Sequence, residues 1–151
     1  MRVSNWNSNY KEDFKRLNLK WLTELFKVEE SDIKQLDNPE ESIINIGGEI
    51  FFLIDEDKVI GTIAIIPRDH ECELSKLAID DGYKGKKLSS LLVDKCIEWA
   101  KNKQYPSIML LCNTDLVPAI NLYKKHGFVT AHLGQHPDYV RCNIVMRRIL
   151  D

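Results

Sequence analysis

The amino-acid sequence predicts an α/β fold of the mixed (α+β) type, formed by one domain over residues 1–151. The length suits one domain with a sizeable core. A content of 44% hydrophobic and 29% charged residues is that of an ordinary soluble globular protein. Apolar runs typical of strands are interspersed with stretches in which apolar residues recur at helical spacing. The predicted order is one strand, helical segments, three strands, a helix, a strand, a helix and two strands.

The first third of the chain is predicted to be mainly helical. Met1–Val3 is a short first strand, and a helix begins near Tyr10. Its apolar stripe consists of Phe14, Leu17, Trp21 and Leu25. A second helical segment covers residues 30–36. A third begins at Pro39, with two acidic residues in its first turn, and ends at Gly47–Gly48.

Two apolar runs, Ile50–Ile54 and Lys58–Pro67, predict a β-hairpin closed by the turn Asp55–Asp57. A further strand follows at Glu71–Ile79. Its apolar residues are Cys72, Leu74, Leu77 and Ile79. The first two are at even positions and the last two at odd positions, whereas the side chains of a regular strand alternate between its faces with period two. One extra residue is therefore expected near Ser75–Lys76, which is the pattern of a β-bulge.

A glycine-containing loop, Asp80–Lys87, connects this bulged strand to a helix. The helix is predicted from the stripe Leu88, Leu91, Leu92, Cys96, Trp99 and Ala100. Its free N-terminal amides and positive dipole end point into the loop, as in an anion site. The cations of the loop are Lys84, Lys86 and Lys87. From these residues alone, a pyrophosphate site and an ordinary loop with solvated lysines are both open.

The last part of the chain predicts a strand, a helix and two closing strands. Ile108–Cys112 is a continuous apolar run, as expected of a central strand. Thr114 or Asp115 is expected to cap the helix that follows, which tolerates Pro118 in its first turn and ends at Gly127. The closing strands are expected at Phe128–Leu133 and Tyr139–Ile149.

Two motifs resemble those of GNAT-type N-acetyltransferases. Leu77–Leu92, LAIDDGYKGKKLSSLL, resembles their coenzyme-A loop, which contains Arg/Gln-x-x-Gly-x-Gly/Ala. Asn113–Phe128, NTDLVPAINLYKKHGF, matches Asn-Thr-x-Leu-x-x-Ala-x-x-Leu-Tyr-x-Lys-x-Gly-Phe and is the more specific signal. The resemblance covers nearly the whole chain and is weakest before residue 45. Lys87 departs from the pattern, because a long cation replaces a glycine where the backbone approaches a ligand closely.

The resemblance implies a mixed, mostly antiparallel sheet of about seven strands with helices on both faces. The fourth and fifth strands are expected to splay apart, with acetyl-CoA, the implied co-substrate, in the opening. Its pantetheine would pair with strand backbone, and its pyrophosphate would meet amides at the start of the following helix. The implied contact residues are Leu77, Ala78, Ile79, Lys84, Gly85, Lys86, Lys87, Leu88, Ser89, Ser90 and Asn113.

The catalytic candidates also follow from the resemblance. Tyr123 corresponds to the tyrosine that protonates the departing thiolate, although without the motif a core aromatic residue is the favoured interpretation. The amide near Leu77 would stabilise the oxyanion. Glu73 is the candidate base, with a surface carboxylate as the alternative and Glu71 as second choice. Asn113 either holds the ligand or a water, or caps the next helix.

Composition limits the remaining options. The formal net charge of −2 indicates neither nucleic acid nor a membrane as partner, and neither a signal peptide nor a membrane-spanning run is recognised. Cys72, Cys96, Cys112 and Cys142 fit reduced core cysteines of a cytoplasmic protein. No metal is expected, although His132 and His136 have i, i+4 spacing. Tyr139 and Arg141 line either the acceptor pocket or a solvated face.

The sequence thus predicts transfer of an acetyl group from acetyl-CoA to a primary amine by direct attack. The acceptor is a small molecule or a peptide. The sequence leaves open whether the protein forms a homodimer. The acidic segment 29–41 favours a cationic amine, although a solvated helix face is the commoner explanation of such runs. A non-catalytic acyl-CoA-binding or regulatory module is the alternative, favoured by Lys87 and opposed by Tyr123. An unrelated nucleotide-binding domain is disfavoured, because no Rossmann or Walker glycine pattern occurs.

Overall fold

The computed structural model describes residues 1–85, 87–137 and 139–150. The strands are β1 (Arg2–Ser4), β2 (Glu49–Asp55), β3 (Lys58–Pro67), β4 (Cys72–Ile79), β5 (Ser107–Cys112), β6 (Val129–Leu133) and β7 (Ile144–Ile149). The α-helices are α1 (Lys11–Leu25), α2 (Glu30–Asp37), α3 (Leu88–Asn102) and α4 (Val117–Lys125). Short helical turns lie at Ser8–Tyr10, Glu40–Ile44 and Asp81–Tyr83. Within these ranges, no helix has the length and apolar character needed to cross a bilayer.

The strands form one mixed sheet in the order β1-β2-β3-β4-β5-β7-β6. All neighbouring strands are antiparallel except β4 and β5, which run parallel. The predicted fold class is therefore confirmed, including the mostly antiparallel sheet of seven strands.

The parallel pair is splayed. Within the described chain, the β4–β5 register is limited to Cys72 opposite Ile108 and Glu73 opposite Met109. By contrast, β5 pairs with β7 from Ser107 to Cys112. The second half of β4 thus diverges from β5, and the expected opening in the middle of the sheet is present.

Alternation along the strands divides the core into two layers, one on each face of the sheet. Helices α3 and α4 pack on the face that carries Phe51, Leu53, Ile63 and Ile65. Helices α1 and α2 pack on the opposite face, against Phe52, Ile54, Ala64 and Ile66. The opening between β4 and β5 is therefore flanked by α3 and α4 on one side and by α2 on the other.

Two predicted boundaries are wrong. The helix α4 starts at Val117, and its N-cap residue is Leu116 rather than Thr114 or Asp115. The backbone amides of Thr114 and Asp115 instead donate hydrogen bonds to the side-chain oxygens of Asn143 and Asn113, so both residues belong to a turn.

The last strand begins at Ile144 rather than at Tyr139. The intervening residues form a turn in which the Cys142 amide bonds to the Tyr139 carbonyl at 3.1 Å. The prediction of a strand over residues 139–143, which was based on the apolar residues there, is therefore wrong, because the chain turns in this stretch.

Candidate active site

The bulge in β4 is confirmed at the predicted position. Thr62 pairs with Ala78 and Ala64 with Ser75, so Lys76 and Leu77 both lie opposite Ile63 alone. Lys76 has φ +58°, in the left-handed region that a side chain with a Cβ rarely adopts. The bulge turns the strand away from β5 and re-aims the backbone of the following residues.

A buried ion cluster holds Lys76 in this conformation. Its ammonium lies 3.1 Å from Oδ1 of Asp32 on α2, a residue that is 0% exposed. Arg141, from the turn before β7, donates to both oxygens of Asp32 at 2.6 Å and to Glu29 at 2.8 Å. The cluster of Asp32, Lys76, Arg141 and Glu29 thus joins α2, the bulge and the turn before β7.

The charges of this ion cluster are balanced internally. Burial alone would raise the pKa of the Asp32 carboxyl, but the hydrogen bond from Arg141 and the charge of Lys76 outweigh it, so the pKa lies below its usual range. Burial lowers the pKa of the Lys76 ammonium, and the positive charge of Arg141 acts in the same direction. The carboxylate of Asp32 offsets this lowering in part. Two carboxylates and two cations therefore compensate one another in a region shielded from water.

Sequence reasoning missed this cluster, although one signal was present. Asp32 is four residues before Leu36, and both are buried on the same face of α2. An acid on the apolar stripe of a helix indicates a buried partner, because an unpaired charge there would be costly.

The edge of β4 beyond the bulge is open towards β5. Ala78 and Ile79 pair with Thr62 and Gly61 of β3 on one side. On the other side, the described pairing with β5 has already ended at Glu73. Residues 77–79 therefore present a strand edge with space beside it, as an added strand-like ligand requires.

The loop after β4 contains a second residue in the left-handed region. Lys87 has φ +61° and is the N-cap residue of α3, and Gly85 has φ +80°. The Lys87 side chain does not cap the helix, and the first turn carries no acidic residue. The amides of Leu88, Ser89 and Ser90 are thus directed into the loop, as expected of an anion site.

The charged residues of the loop are only partly available. Lys84 contacts Asp81 at 2.8 Å, and Asp81 also pairs with Lys20 of α1. Hydrogen bonds from these two lysines lower the pKa of Asp81 to about 2. Lys87 is exposed, and the predicted contact residue Lys86 lies outside the described residues.

Tyr123 lies on the inner face of α4 and is 8% exposed. Its ring packs edge-on against Phe128, with the ring centroids 6.0 Å apart. Burial raises the pKa of its phenol well above the ordinary value, with smaller contributions from Cys112 and Cys96. A phenol in such an environment retains its proton, as a proton donor must before its reaction.

The two carboxylates proposed as bases differ in their partners. Glu71 accepts two hydrogen bonds from Arg147, at 2.8 and 3.0 Å, and one from Ser107 at 3.0 Å. The bond from Arg147 holds its pKa below the usual range, which makes Glu71 a poor base. Glu73 is 9% exposed, and its Oε1 accepts from Arg68 Nε at 2.8 Å.

Asn113 is occupied within the protein. Its amide nitrogen donates to the Arg141 carbonyl at 2.6 Å, and its oxygen accepts from the Asp115 amide at 2.8 Å. These bonds join the end of β5 to the turn before β7, close to the ion cluster. Asn113 does not cap α4, whose N-cap residue is Leu116. Its side chain has a structural role in the turn at the end of β5.

A groove of about 620 Å³ opens on the α2 side of the sheet. Its lining residues are Phe26, Lys27, Val28, Glu29, Glu30, Val140 and Arg141. Several carboxylates of the acidic segment already have partners: Glu29 and Asp32 pair with Arg141, Asp37 with Lys15, and Glu40 with Lys11. The negative charge of this segment is therefore mostly compensated, which weakens the argument for a cationic acceptor.

In residues 1–85, 87–137 and 139–150, no three histidine, cysteine, aspartate or glutamate side chains are grouped to hold a metal ion. His136 instead lies beside Tyr139, with 5.9 Å between ring centroids. The four cysteines are free and buried, as predicted.

Comparison with known proteins agrees with this geometry. An uncharacterized N-acetyltransferase of Schizosaccharomyces pombe is 33% identical over 79 residues, which are 51% of this chain and 48% of that protein. This chain therefore spans about half the length of that curated relative.

Solved structures share the fold over nearly the whole chain. A GNAT-family acetyltransferase from Staphylococcus aureus has a TM-score of 0.89 and 26% identity, covering 99% of both chains. The putative acetyltransferase yncA of Salmonella typhimurium, solved with acetyl-CoA, has a TM-score of 0.81 and 16% identity, covering 100% of this chain and 94% of that one. The model of the acetyltransferase (GNAT) family matches residues 10–128, and the chain belongs to this family.

Proposed function

We propose that residues 1–151 form an acetyltransferase domain that transfers an acetyl group from acetyl-CoA to a primary amine. The observation that carries this proposal is the open edge of β4 at residues 77–79, which leads directly to the uncapped N-terminus of α3. An extended pantetheine chain needs the first feature, and a pyrophosphate needs the second. Family membership supports the same assignment.

The coenzyme contacts divide into two groups in this proposal. The backbone of Leu77, Ala78 and Ile79 pairs with the pantetheine. The amides of Gly85 and of residues 87–90 surround the pyrophosphate, and both Gly85 and Lys87 have the positive φ that turns such amides inward. Lys84 and Lys87 add positive charge. Asn113 supports the turn at the end of β5 rather than touching the ligand.

The proposed reaction is direct attack of the amine on the thioester carbonyl. Glu73 accepts the proton of the amine, directly or through water, while Arg68 orients its carboxylate. The Leu77 amide in the bulge donates to the oxygen that becomes negative. Tyr123 donates its proton to the sulfur as the carbon–sulfur bond breaks, which yields an amide and a free thiol.

The acceptor is proposed to enter through the groove between residues 26–30 and the turn at Val140–Arg141. This groove lies on the α2 side of the sheet, and the ion cluster forms part of its wall. Both a small amine and a peptide N-terminus have the required primary amine. We place the protein in the cytoplasm, because its four cysteines are free and buried.

A non-catalytic module that binds acyl-CoA is the second candidate. The observation that favours it is Lys87, whose exposed side chain stands at the position of a family glycine. In that case the lysine obstructs the loop instead of adding charge to it. The buried, protonated phenol of Tyr123 favours the enzyme.

Ligand binding separates these proposals from an unrelated function. Acetyl-CoA at one hundred times its dissociation constant should stabilise the fold by about 2.7 kcal/mol. The measurement is the thermal midpoint with acetyl-CoA and, as a control, with NADH at the same concentration. Equal shifts from both ligands, or none from either, would contradict the coenzyme assignment. Release of free thiol with a panel of amines, including a polyamine and a peptide N-terminus, then separates the enzyme from the binding module.

A further inference from the structure

His126 connects the two helices that flank the proposed coenzyme site. It follows the last residue of α4, three residues after Tyr123, and its side chain is 11% exposed. Its Nε2 lies 3.1 Å from the Ser90 hydroxyl, and its Nδ1 lies 3.1 Å from Oδ1 of Asp94. Ser90 and Asp94 are four residues apart on α3, so the imidazole lies across one face of that helix.

The surroundings fix the position of this ring. Arg148 of β7 donates to the His126 carbonyl at 2.9 Å, and Gly127, with φ +90°, ends the helix behind it. The charged groups around His126 are therefore Asp94 on α3, Arg148 on β7, and the exposed Lys124 and Lys125 on its own helix.

The carboxylate determines which ring nitrogen carries a proton. An ionised carboxylate only accepts hydrogen bonds, so Nδ1 must carry a proton to bond with Asp94. In a neutral imidazole, Nε2 is then an acceptor, and the Ser90 hydroxyl must donate to it. The single proton of Ser90 is thereby directed into the protein, and only its lone pairs face outwards.

Protonation of the ring reverses this arrangement. In the imidazolium both nitrogens carry protons, so Nε2 donates to the Ser90 oxygen. The hydroxyl proton of Ser90 is then free to point into the loop. Phosphate oxygens are acceptors, so only this state of the pair offers them a donor, and it also brings a positive charge near them.

We propose that His126 is a positioning residue that couples coenzyme binding to uptake of one proton, by releasing the Ser90 hydroxyl to donate to the pyrophosphate. The inference rests on the proposed function, because it requires the coenzyme phosphates at the start of α3. His126 lies in the same segment as Tyr123, Asn113–Phe128, and this role goes beyond the one proposed for Tyr123.

The consequence is a defined pH dependence. Binding favours the state in which both ring nitrogens carry protons, so affinity for the pyrophosphate should be higher at low pH than at high pH. Couplings between two sites typically change affinity about 5–150-fold, and we expect a fall within this range between pH 6 and pH 8.5. The probe is dephospho-acetyl-CoA, which keeps the pyrophosphate but lacks the phosphomonoester that titrates near pH 6.

The test is titration calorimetry of dephospho-acetyl-CoA at pH 7.5 in two buffers of different ionisation enthalpy. The difference in heat gives the number of protons taken up. We expect a substantial fraction of a proton for the wild type and almost none for His126→Gln or Ser90→Ala. His132→Gln, which removes an exposed histidine on β6, is the matched control and should keep the uptake.

Asp94→Asn keeps the imidazole and so tests the argument if His126→Gln does not fold. An asparagine amide can donate to Nδ1, which lets the neutral ring carry its proton on Nε2 and donate to Ser90. This variant should bind at pH 8.5 more tightly than the wild type and take up less proton. Binding without proton uptake, or equal uptake in His126→Gln, would overturn the role of His126 but not the proposed function. Absence of binding at every pH would overturn the proposed function as well.

Discussion

Two lysines on either side of the candidate site have nearly the same backbone conformation but opposite surroundings. Lys76 in the β4 bulge has φ +58°, and Lys87 at the start of α3 has φ +61°. The side chain of Lys76 is 5% exposed and bonded to Asp32, which Arg141 also holds. Lys87 is exposed. Its side chain makes no capping hydrogen bond to the helix.

The comparison shows two ways of keeping a strained backbone next to a site. A left-handed conformation costs a residue with a Cβ about 1–2 kcal/mol. At Lys76 the buried ion pair makes the lysine itself necessary. Among the described residues, no buried ion pair of this kind is formed by Lys87, so a functional reason, charge near the coenzyme phosphates, explains the lysine better.

The ion cluster should produce the largest effect on stability. Asp32→Ala leaves Lys76 and Arg141 buried without their shared carboxylate, and breaking a buried pair in this way costs about 3–5 kcal/mol. The control is Asp37→Ala on the same helix, whose pair with Lys15 is partly exposed and is worth about 1 kcal/mol or less. Urea unfolding of both variants measures the difference. Similar losses would mean that Asp32 does not stabilise the bulge.

Lys76→Gly should have an intermediate effect. Glycine relieves the strain of about 1–2 kcal/mol, but the variant loses the buried ammonium and leaves Arg141 as the cationic partner of Asp32. We expect a net loss of about 1–2 kcal/mol, because an uncompensated buried group outweighs the relief. The free energy of unfolding again measures it. A gain in stability would show that the ion pair contributes less than the strain costs.

Lys87→Gly should change stability in the opposite direction. Glycine accepts the positive φ and is a better N-cap than lysine, so the variant should gain about 1 kcal/mol. Lys103→Gly is the control at the other end of α3, where φ is −83° and no gain is expected.

The same variant also tests the role of the lysine in binding. If Lys87 supplies charge to the phosphates, acetyl-CoA affinity should fall in Lys87→Gly, and the remaining affinity should depend less on salt. Tighter binding would instead mean that the lysine obstructs the loop, which favours the non-catalytic module.

Parts of this site could be predicted from the sequence because they depend on neighbouring residues. The parity change after Leu74 predicts the bulge, since side-chain alternation is a local property of a strand. The stripe that begins at Leu88 predicts where α3 starts, and with it the free amides. The motif around Tyr123 predicts the buried phenol and the turn at Gly127.

The remaining parts depend on contacts between distant segments. The ion cluster requires α2, the bulge and the turn at Arg141 to meet. No local pattern links Asp32 to Lys76 or Arg141, which follow it in the sequence by 44 and 109 positions. The interpretation of residues 139–143 as strand was wrong for the same reason. The Asn113 side chain, just after β5, donates to the Arg141 carbonyl, and the Asn143 side chain, just before β7, accepts from the Thr114 amide. The turn therefore depends on contacts between segments that are distant in the sequence.

Tyr123→Phe tests the central claim, catalysis of acetyl transfer, most directly. The two side chains have nearly the same shape, so the fold and the affinity for acetyl-CoA should change little. Loss of the proton donor should slow thiol release by about 10²-fold, the lower end of general-acid effects, because water replaces it in part. The measurement combines turnover on an amine found in the screen with calorimetric binding of acetyl-CoA. Full turnover in the variant would contradict the assigned role and leave Tyr123 as a core aromatic residue.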